Sequence, residues 1–414
     1  MNKFTILCAL FLGIFNQTMA QTIQDTISLD AGYANETWYE LATGEKTSAP
    51  KNEWDIAFSV DGFSSAIHFN NAHGGKIWAY ENGTNANWST IDTTGISTWP
   101  QLYNSIETWE KGAFDQNQNP DIEYDYGWGV YNMITHFVTG DSLFIVQLAN
   151  GDFKKLDIIS LTNGTFNFRI SDLDNSNEQS KAFVKSNYSG KLMGYYSIQN
   201  DEFLDREPAL DTWDLIAKQY IAFVPTPYLV SGIMVSPNWT IVKATEVSDP
   251  ETYIDYTGFT FGENISTIGH DWKTFNMNTF EYDITQDVVY FMQNEAGDIW
   301  KIVPKGFGGS ATGDCIFTKE QLAFAGNTEL EAERFINIYP TPANNQLIVS
   351  FDSKSAETVI EIINSLGQKV LSETFASFQG LTQKKLSIND LNPGVYFLTL
   401  TQNGVATTKR IVKQ

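Results

Sequence analysis

The sequence is poor in cysteine, histidine and positive charge. Among 414 residues there are 2 cysteines and 4 histidines, and 26 Lys plus Arg oppose 49 Asp plus Glu, a net charge of −23. Cys8 falls in an N-terminal apolar stretch, so we expect no disulfides and a buried thiol at Cys315. A surface this acidic repels the phosphate backbone and excludes nucleic acid as a partner. Because histidines are few and no catalytic motif is present, we expect no enzyme.

Long apolar runs are also scarce. No stretch of 18 or more apolar residues follows the N-terminus, so no transmembrane span is predicted. The first twenty residues combine Lys3, an apolar run up to Phe15 and the small residue Ala20. This pattern is typical of a signal peptide at 1–20. We therefore expect a secreted protein from which the signal peptide is removed.

Strand-forming and turn-forming residues are abundant. Aromatic residues make up 14% of the chain and there are 30 glycines, whereas helical periodicity is nearly absent. The one helix-leaning stretch, TELEAERF, is polar and is interpreted as part of a linker at 324–334. The composition predicts an all-β protein built from antiparallel sheets.

Several landmarks occur twice in the same order. NEWDIAFSV is echoed by DTWDLIAKQ, YGWGVYNMIT by IGHDWKTFNMNT, DSLFIVQLANGDFKKL by DVVYFMQNEAGDIWKI, and TWYELATGEK by MGYYSIQNDE. The spacing drifts only modestly, as loop insertions would produce. The pattern predicts two tandem antiparallel β domains, at 21–181 and 182–323.

The last eighty residues, 335–414, differ in character. Short strands alternate with Gly, Pro and Asn turns, which predicts a small Ig-like β-sandwich. Its motif residues are Tyr339, Pro340, Pro342, Gly367, Gly394, Tyr396 and the basic Lys413. The segment resembles the type A C-terminal sorting domain of type IX secretion, although Thr341 stands where that family usually has Asn. The resemblance implies that the type IX secretion machinery is a partner and exports the chain, which is then secreted or held at the outer-membrane surface.

The repeated domain also carries a resemblance. TISLDAGYANETWYELATGEKTSAPKNEWDIAFS, NNAHGGKIWAY and FIVQLANGDFKKLDI resemble HmuY-like haemophores. This implies a β fold that binds haem at the bacterial surface. Haem iron needs axial donors such as His or Met, but the paired histidines of the family do not carry over. The nearby candidates are Met133, His136, His270 and Met277. The competing interpretation makes Met133 and Met277 core filler beside a strand and His136 a packing position.

Two other kinds of segment carry residues that suit calcium or sugar ligands. DQNQNPD (115–121) and DLDNSNE (172–178) place oxygen donors at alternate positions, as calcium loops do, although solvated turns are favoured. The aromatic stretches 98–114 and 125–131 suit either a sugar-binding platform or a packed core. Three functions thus remain open: haem or tetrapyrrole binding, a structural or adhesive surface role, and carbohydrate binding. An aromatic cleft with inward His or Met favours haem, and a filled core favours a scaffold.

Overall fold

The computed structural model describes residues 22–323, 336–353, 357–364, 367–376, 380–402 and 405–414. The predicted signal peptide and linker lie outside the described residues. The chain divides into an N-terminal unit, which ends at Leu322, and a C-terminal unit, which begins at Ala323. Strands dominate both units, and the described helical segments are short turns such as Gly309–Thr312. The predicted all-β fold with antiparallel sheets is confirmed.

The described part of the N-terminal unit has twenty-two strands. The first eleven are β1 (Ile23–Ser28), β2 (Asn35–Tyr39), β3 (Lys46–Pro50), β4 (Ile56–Ser59), β5 (Ile67–Phe69), β6 (Lys76–Ala79), β7 (Gly129–Asn132), β8 (Phe137–Gly140), β9 (Leu143–Gln147), β10 (Phe153–Thr162) and β11 (Thr165–Asp172). The next eleven are β12 (Gln179–Val184), β13 (Met193–Ser197), β14 (Glu202–Leu204), β15 (Leu215–Phe223), β16 (Pro227–Val235), β17 (Trp239–Ala244), β18 (Lys273–Asn276), β19 (Glu281–Ile284), β20 (Val289–Asn294), β21 (Ile299–Phe307) and β22 (Asp314–Ala323).

These strands form two groups of sheets with matching strand orders. One large sheet has the order β1-β22-β21-β20-β17, and the other contains the run β12-β11-β10-β9-β6, with β8 and β7 added beside β10. The smaller sheets are β3-β2-β15-β16 and β14-β13-β4-β5. The five-stranded sheet therefore corresponds strand for strand to the run β12-β11-β10-β9-β6, and the two four-stranded sheets correspond to each other.

The matching sheets form two lobes that exchange strands. Lobe 1 contains β4–β14, and lobe 2 contains β1–β3 together with β15–β22. Each predicted tandem copy thus contributes its first three strands to the lobe that the other copy completes. The predicted boundary between residues 181 and 182 lies inside β12. Both lobes belong to one compact unit.

The two Trp-Asp pairs occupy equivalent places in this exchange. Asp55 accepts a hydrogen bond from the Ile198 N–H at 2.7 Å, and Asp214 accepts one from the Leu41 N–H at 2.6 Å. In both cases the aspartate holds the turn that follows a strand of the other copy. The short carboxylate can satisfy turn N–H groups that have no partner in a sheet. The repeated sequence signal therefore marks the two points where the copies interlock.

Alternate side chains of the smaller sheets fill different cores. Tyr39, Leu215 and Ala217 point into the core of lobe 2, whereas Trp38 and Ile216 join a third core between the lobes. In lobe 1, Ile56 and Phe58 lie in the lobe core while Ala57 joins the third. Both faces of these strands are buried, which explains why their sequences are almost continuously apolar rather than alternating.

The β9–β10 hairpin and the β20–β21 hairpin are also equivalent. Gly151 at φ 93° and Gly297 at φ 96° take backbone angles that favour glycine and turn β9 into β10 and β20 into β21. Four residues after each glycine a buried lysine reaches a carbonyl across the lobe. Lys155 Nζ donates to Trp88 O at 2.6 Å, and Lys301 Nζ donates to Glu251 O at 2.5 Å.

The C-terminal unit has seven described strands around one core. They are β23 (Ile336–Tyr339), β24 (Gln346–Ser353), β25 (Glu357–Asn364), β26 (Lys369–Ala376), β27 (Gly380–Ser387), β28 (Gly394–Gln402) and β29 (Val405–Lys413). One sheet has the order β23-β24-β27 and the other β26-β25-β28-β29. Leu347, Ile360, Leu386 and Leu398 are fully buried between them. This arrangement agrees with the predicted β-sandwich.

Candidate functional site

Two equivalent hairpins carry most of the predicted ligand residues. Hairpin 1 is formed by β7 and β8, and hairpin 2 by β18 and β19. The Asn132 side chain accepts from the N–H groups of Ile134 and Thr135, and the Asn276 side chain accepts from those of Asn278 and Thr279. These bonds form the turn from within, as Asn side chains commonly do.

The fifth residue of each turn, counted from the asparagine, has a left-handed backbone. His136 and Phe280 both have φ of 59°, and the N–H of each donates at 2.8 Å to the carbonyl of the turn asparagine. The two turns therefore share their geometry, although their side chains differ. The same loop has been kept in both halves of the unit.

The tips of both hairpins are exposed. Met133 is 61% exposed, Ile134 90%, Met277 72% and Phe280 74%. The interpretation of the methionines as core filler is wrong, because Asn-Met-x-Thr forms the turn between two strands instead of leading into one. The interpretation of His136 as a packing position is also wrong, because its side chain and that of the equivalent Phe280 face solvent.

The structure places the four haem-ligand candidates in two separate lobes. Met133 and His136 share the tip of hairpin 1, where the His136 Nδ1 lies 2.7 Å from the Tyr131 hydroxyl. Met277 is at the tip of hairpin 2. His270 precedes that hairpin, is half-buried, and its Nδ1 lies 3.2 Å from the Tyr220 hydroxyl. Within each lobe, no candidate pair lies on facing walls of a described cleft.

The aromatic stretches considered as platforms are largely core. Trp99, Trp109, Phe114 and Trp128 are all buried. Trp109 lies between the lobes and meets Trp213 edge to face with ring centroids 6.4 Å apart. These rings supply packing area, so the stretches 98–114 and 125–131 do not form an exposed platform.

A small polar cavity lies between the lobes. It measures about 40 Å³, which is room for ordered water and far less than a macrocycle needs. Glu36 on its wall accepts from Arg206 at 2.5 Å and from Lys218 at 2.9 Å. Burial opposes ionisation, but the charges of Lys218 and Arg206 outweigh it and hold the pKa of Glu36 at about 2. Both carboxylate oxygens of Glu36 are therefore paired, and the cluster ties the lobes together.

His68 lines the same cavity. Its Nε2 lies 2.8 Å from the Trp109 carbonyl, and burial lowers its pKa to about 4. The ring is therefore neutral at physiological pH and donates to the carbonyl. A neutral, bonded and enclosed histidine is a packing element of the interface between the lobes.

The first carboxylate of each possible calcium loop is already engaged. Asp115 is buried and accepts from the N–H groups of Ile67 and Gly112. Asp172 pairs with Lys154 and accepts from Asn177. Over the described ranges, no group of three or more His, Cys, Asp or Glu side chains is arranged to hold a metal ion. These contacts favour structural turns.

Cys315 is buried in the core of lobe 2, as predicted. Burial raises the pKa of its thiol to about 12, so the reactive thiolate is not formed at physiological pH.

Most of the sorting-motif residues of the C-terminal unit lie beside its last strand. Pro340 and Pro342 form the turn after Tyr339, and the next N–H, of Ala343, donates to Val412 O at 2.8 Å. Gly394 pairs in register with Lys413, and the Tyr396 hydroxyl donates to Asn392 O at 2.9 Å. Gly367, with φ of 78°, shapes the separate turn between β25 and β26. The motif therefore fixes the final strand.

The fold and these sites define an all-β protein with a separate C-terminal sorting unit. Residues 337–414 match the family described as the secretion system C-terminal sorting domain. The predicted type IX sorting domain is thus confirmed, and it implies export by type IX secretion as a secreted or surface protein that interacts with this machinery. No described helix is long and apolar enough to span a membrane.

The family match does not extend to the N-terminal unit. No curated protein matches the chain. One similar solved structure is titled "Biofilm associated protein - BSP domain"; it shares 10% identity over 96% of this chain and 82% of that chain, with a TM-score of 0.18. A score this low carries no argument about fold or function.

Proposed function

We propose that the chain is an exported, non-catalytic binding protein that contacts its target through hairpins 1 and 2. The observation that carries this proposal is the repeated turn, which presents Met133 with Ile134 in one lobe and Met277 with Phe280 in the other. Soluble proteins rarely keep large apolar side chains in solvent at matching places unless these contact something. The sorting unit delivers such a surface to the outside of the cell.

The absence of catalysis is part of the proposal and rests on the chemistry of the described groups. His68 is buried and neutral, Cys315 is a buried thiol, and the Glu36 cluster is internally paired. These three groups are therefore committed to structure and are not available for nucleophilic or acid–base catalysis.

Binding of the full chain to intact cells of the producing organism tests the proposal. We expect the combined variant M133S/I134S/M277S/F280N to bind about tenfold or more weakly, because four exposed apolar contacts are lost. Asn at position 280 tolerates the left-handed backbone. Phe63→Ser is the matched control, since Phe63 is fully exposed in a different loop. Equal binding by the tip variant and the native chain would refute a contact role for the hairpins.

Haem is a second candidate ligand, supported by the HmuY-like resemblance and by His136. The Tyr131 hydroxyl engages Nδ1 and leaves Nε2 as the nitrogen available to iron, an arrangement that often orients a metal-binding histidine. Met133 stands three residues away in the same exposed turn. Hairpin 1 is therefore the better of the two tips for an axial ligand.

A haemin titration of the full chain in oxidised and reduced states tests this candidate. We expect a saturable, shifted Soret band that His136→Ala abolishes and His270→Ala leaves unchanged. A spectrum identical to free haemin would exclude haem while leaving the broader binding role intact. Loss of the band in the His270 variant alone would move the ligand to lobe 2.

A further inference from the structure

Lobe 2 contains an open groove beside hairpin 2. Its volume is about 810 Å³, within the range of ligand-binding pockets. Tyr228 on β16, Phe275 and Phe280 on hairpin 2, and Phe307 at the end of β21 contribute rings to it. The exposed tip of hairpin 2 is thus one wall of a larger aromatic surface.

The rings of this groove support one another. Phe275 meets Tyr282 edge to face at a centroid distance of 5.2 Å, and Tyr282 meets Phe307 in the same way at 4.8 Å. Phe307 in turn packs on the buried Trp272 at 6.0 Å. Edge-to-face contacts fix ring orientation, so the exposed rings are held by a chain that reaches the core. A ligand that stacks on them meets a preorganised surface.

The backbone also accommodates this arrangement at a cost. Phe280 is a bulky residue with φ of 59°, in the left-handed region that L-residues of this type rarely adopt. Gly309 has φ of 57°, and a Cβ there would lie 3.2 Å from the Tyr282 ring. The left-handed angle recurs at His136 in hairpin 1 and so belongs to the shared turn, whereas the close approach of Gly309 to the Tyr282 ring is a feature of lobe 2.

The polar groups of the groove decide which ligand fits. Glu281 and Asp314 are acceptors and Ser310 is a hydroxyl group, whereas the one lysine on the wall, Lys305, is paired with Glu251. With a net charge of −23 on the whole chain, an anionic ligand is repelled. A wholly apolar ligand would leave these acceptors without partners. The groove therefore suits a neutral molecule with apolar faces and many hydroxyl donors.

Lobe 1 lacks the same surface at its equivalent position. Where lobe 2 has Tyr282 and Phe307, lobe 1 has Val138 paired with Leu161. Hairpin 1 has ring contacts of its own, in which Tyr131 meets Tyr124, Tyr126 and His136. The connection from the hairpin through Tyr282 and Phe307 to the core is a feature of lobe 2.

We propose that the groove of lobe 2 binds a neutral glycan chain, whose sugar rings stack on Phe275 and Phe280 and whose hydroxyl groups donate to Glu281 and Asp314. This inference rests on the proposed binding function and assigns one ligand class to hairpin 2. Neither haem nor calcium has a role in it.

Affinity electrophoresis of the full chain through gels containing neutral polysaccharides tests the inference. The probes are dextran, galactomannan, xylan and laminarin, with alginate and heparin as polyanionic comparisons. We expect at least one neutral polysaccharide to retard the chain. The variant F275T/F280N should raise the dissociation constant for that polysaccharide about tenfold or more. Thr and Asn preserve the strand and the left-handed turn. Phe63→Ser, which alters a fully exposed ring in a loop of lobe 1 outside both hairpins, is the matched control and should migrate like the native chain.

The outcomes separate this inference from the proposed function. If no neutral polysaccharide retards the native chain, or if F275T/F280N is retarded equally, the glycan inference is overturned. Cell binding that still depends on the hairpin tips would then preserve the broader binding role. Retardation by the polyanions alone would also overturn the inference, because it would show a cationic site that the groove does not contain.

Discussion

Glu207 is a carboxyl group enclosed in lobe 1 close to the second lobe. It accepts hydrogen bonds from the N–H groups of Leu192 and Met193 and from the Tyr195 hydroxyl at 2.6 Å. Burial is the largest influence and raises its pKa to about 7 in spite of these donors. The folded chain therefore holds a proton that the unfolded chain releases near pH 4.5.

This difference predicts a pH dependence of stability. Because the folded pKa is the higher one, the contribution of Glu207 is complete below pH 4.5 and is lost as the pH rises through about 7. We expect Glu207→Gln to flatten the decline by up to about 3 kcal/mol across this interval. Thermal unfolding from pH 4 to pH 8 measures it, with Glu53→Gln, an exposed site beside Arg206, as the control. Parallel profiles for native and variant chains would contradict the assignment.

The buried lysines provide a second test at the scale of single residues. Lys155 and Lys301 satisfy carbonyls of the long loops before β7 and β18. We expect Lys155→Met or Lys301→Met to destabilise the N-terminal unit by about 1–3 kcal/mol. The first change leaves the carbonyl of the buried Trp88 without its donor, and the second removes both the bond to the Glu251 carbonyl and the ion pair with Glu320. Thermal unfolding measures the loss, and Lys76→Met on an exposed strand position is the control. A variant as stable as the native chain would show that water replaces the ammonium group.

Among the elements, the two matching hairpins have turns held by asparagine. We expect Asn132→Ala and Asn276→Ala to loosen the tips, since each removes an acceptor shared by two N–H groups. Hydrogen exchange at Ile134, Thr135, Asn278 and Thr279 should become faster by about fivefold or more, with the core amides of β9 and β20 unchanged. Equal exchange rates would mean that the strands alone hold the turns.

Elements with local signals could be predicted from the sequence. The hairpins at Gly151 and Gly297 and the motif of the C-terminal unit all depend on residues close together in the chain. The exposed tips could not be predicted, because Asn-Met-x-Thr resembles the start of a strand. Only the left-handed His136 and Phe280 end the turn, and residues of these types give no such signal. The groove of lobe 2 was missed because Tyr228 and Phe307 reach it from distant strands.

The strand exchange could not be predicted either. An apolar run such as that of β4 or β15 is equally suited to pair with a strand of its own copy or of the other. What selects the partner is the packing of Trp38, Trp54 and Trp213 between the lobes, which joins residues far apart in sequence. The repeated sequence motifs indicate the duplication. The exchange of strands between the copies depends on contacts between residues far apart in sequence, which those motifs do not specify.

At the scale of the whole molecule, the first three strands close the second lobe. We expect a chain without residues 22–50 to lose the folded lobe 2 and keep most of lobe 1, because β1–β3 pair with β22 and β15. Limited proteolysis with mass spectrometry should show cleavage throughout 215–323 and protection within 56–204. Deletion of 324–414 is the control, since the C-terminal unit is a separate compact unit. Uniform cleavage of both lobes would show that they fold only together.

The position of β22 has a mechanical consequence. The chain leaves the N-terminal unit from this strand, which lies between β1 and β21 rather than at a sheet edge. A pull transmitted through residue 323 must therefore detach β22 from two neighbours at once, and one of them is the very first strand of the unit. If the protein holds on to a target while its tail is held at the cell, the load falls on a strand gripped from both sides. The interlocked ends make the molecule suited to bearing tension.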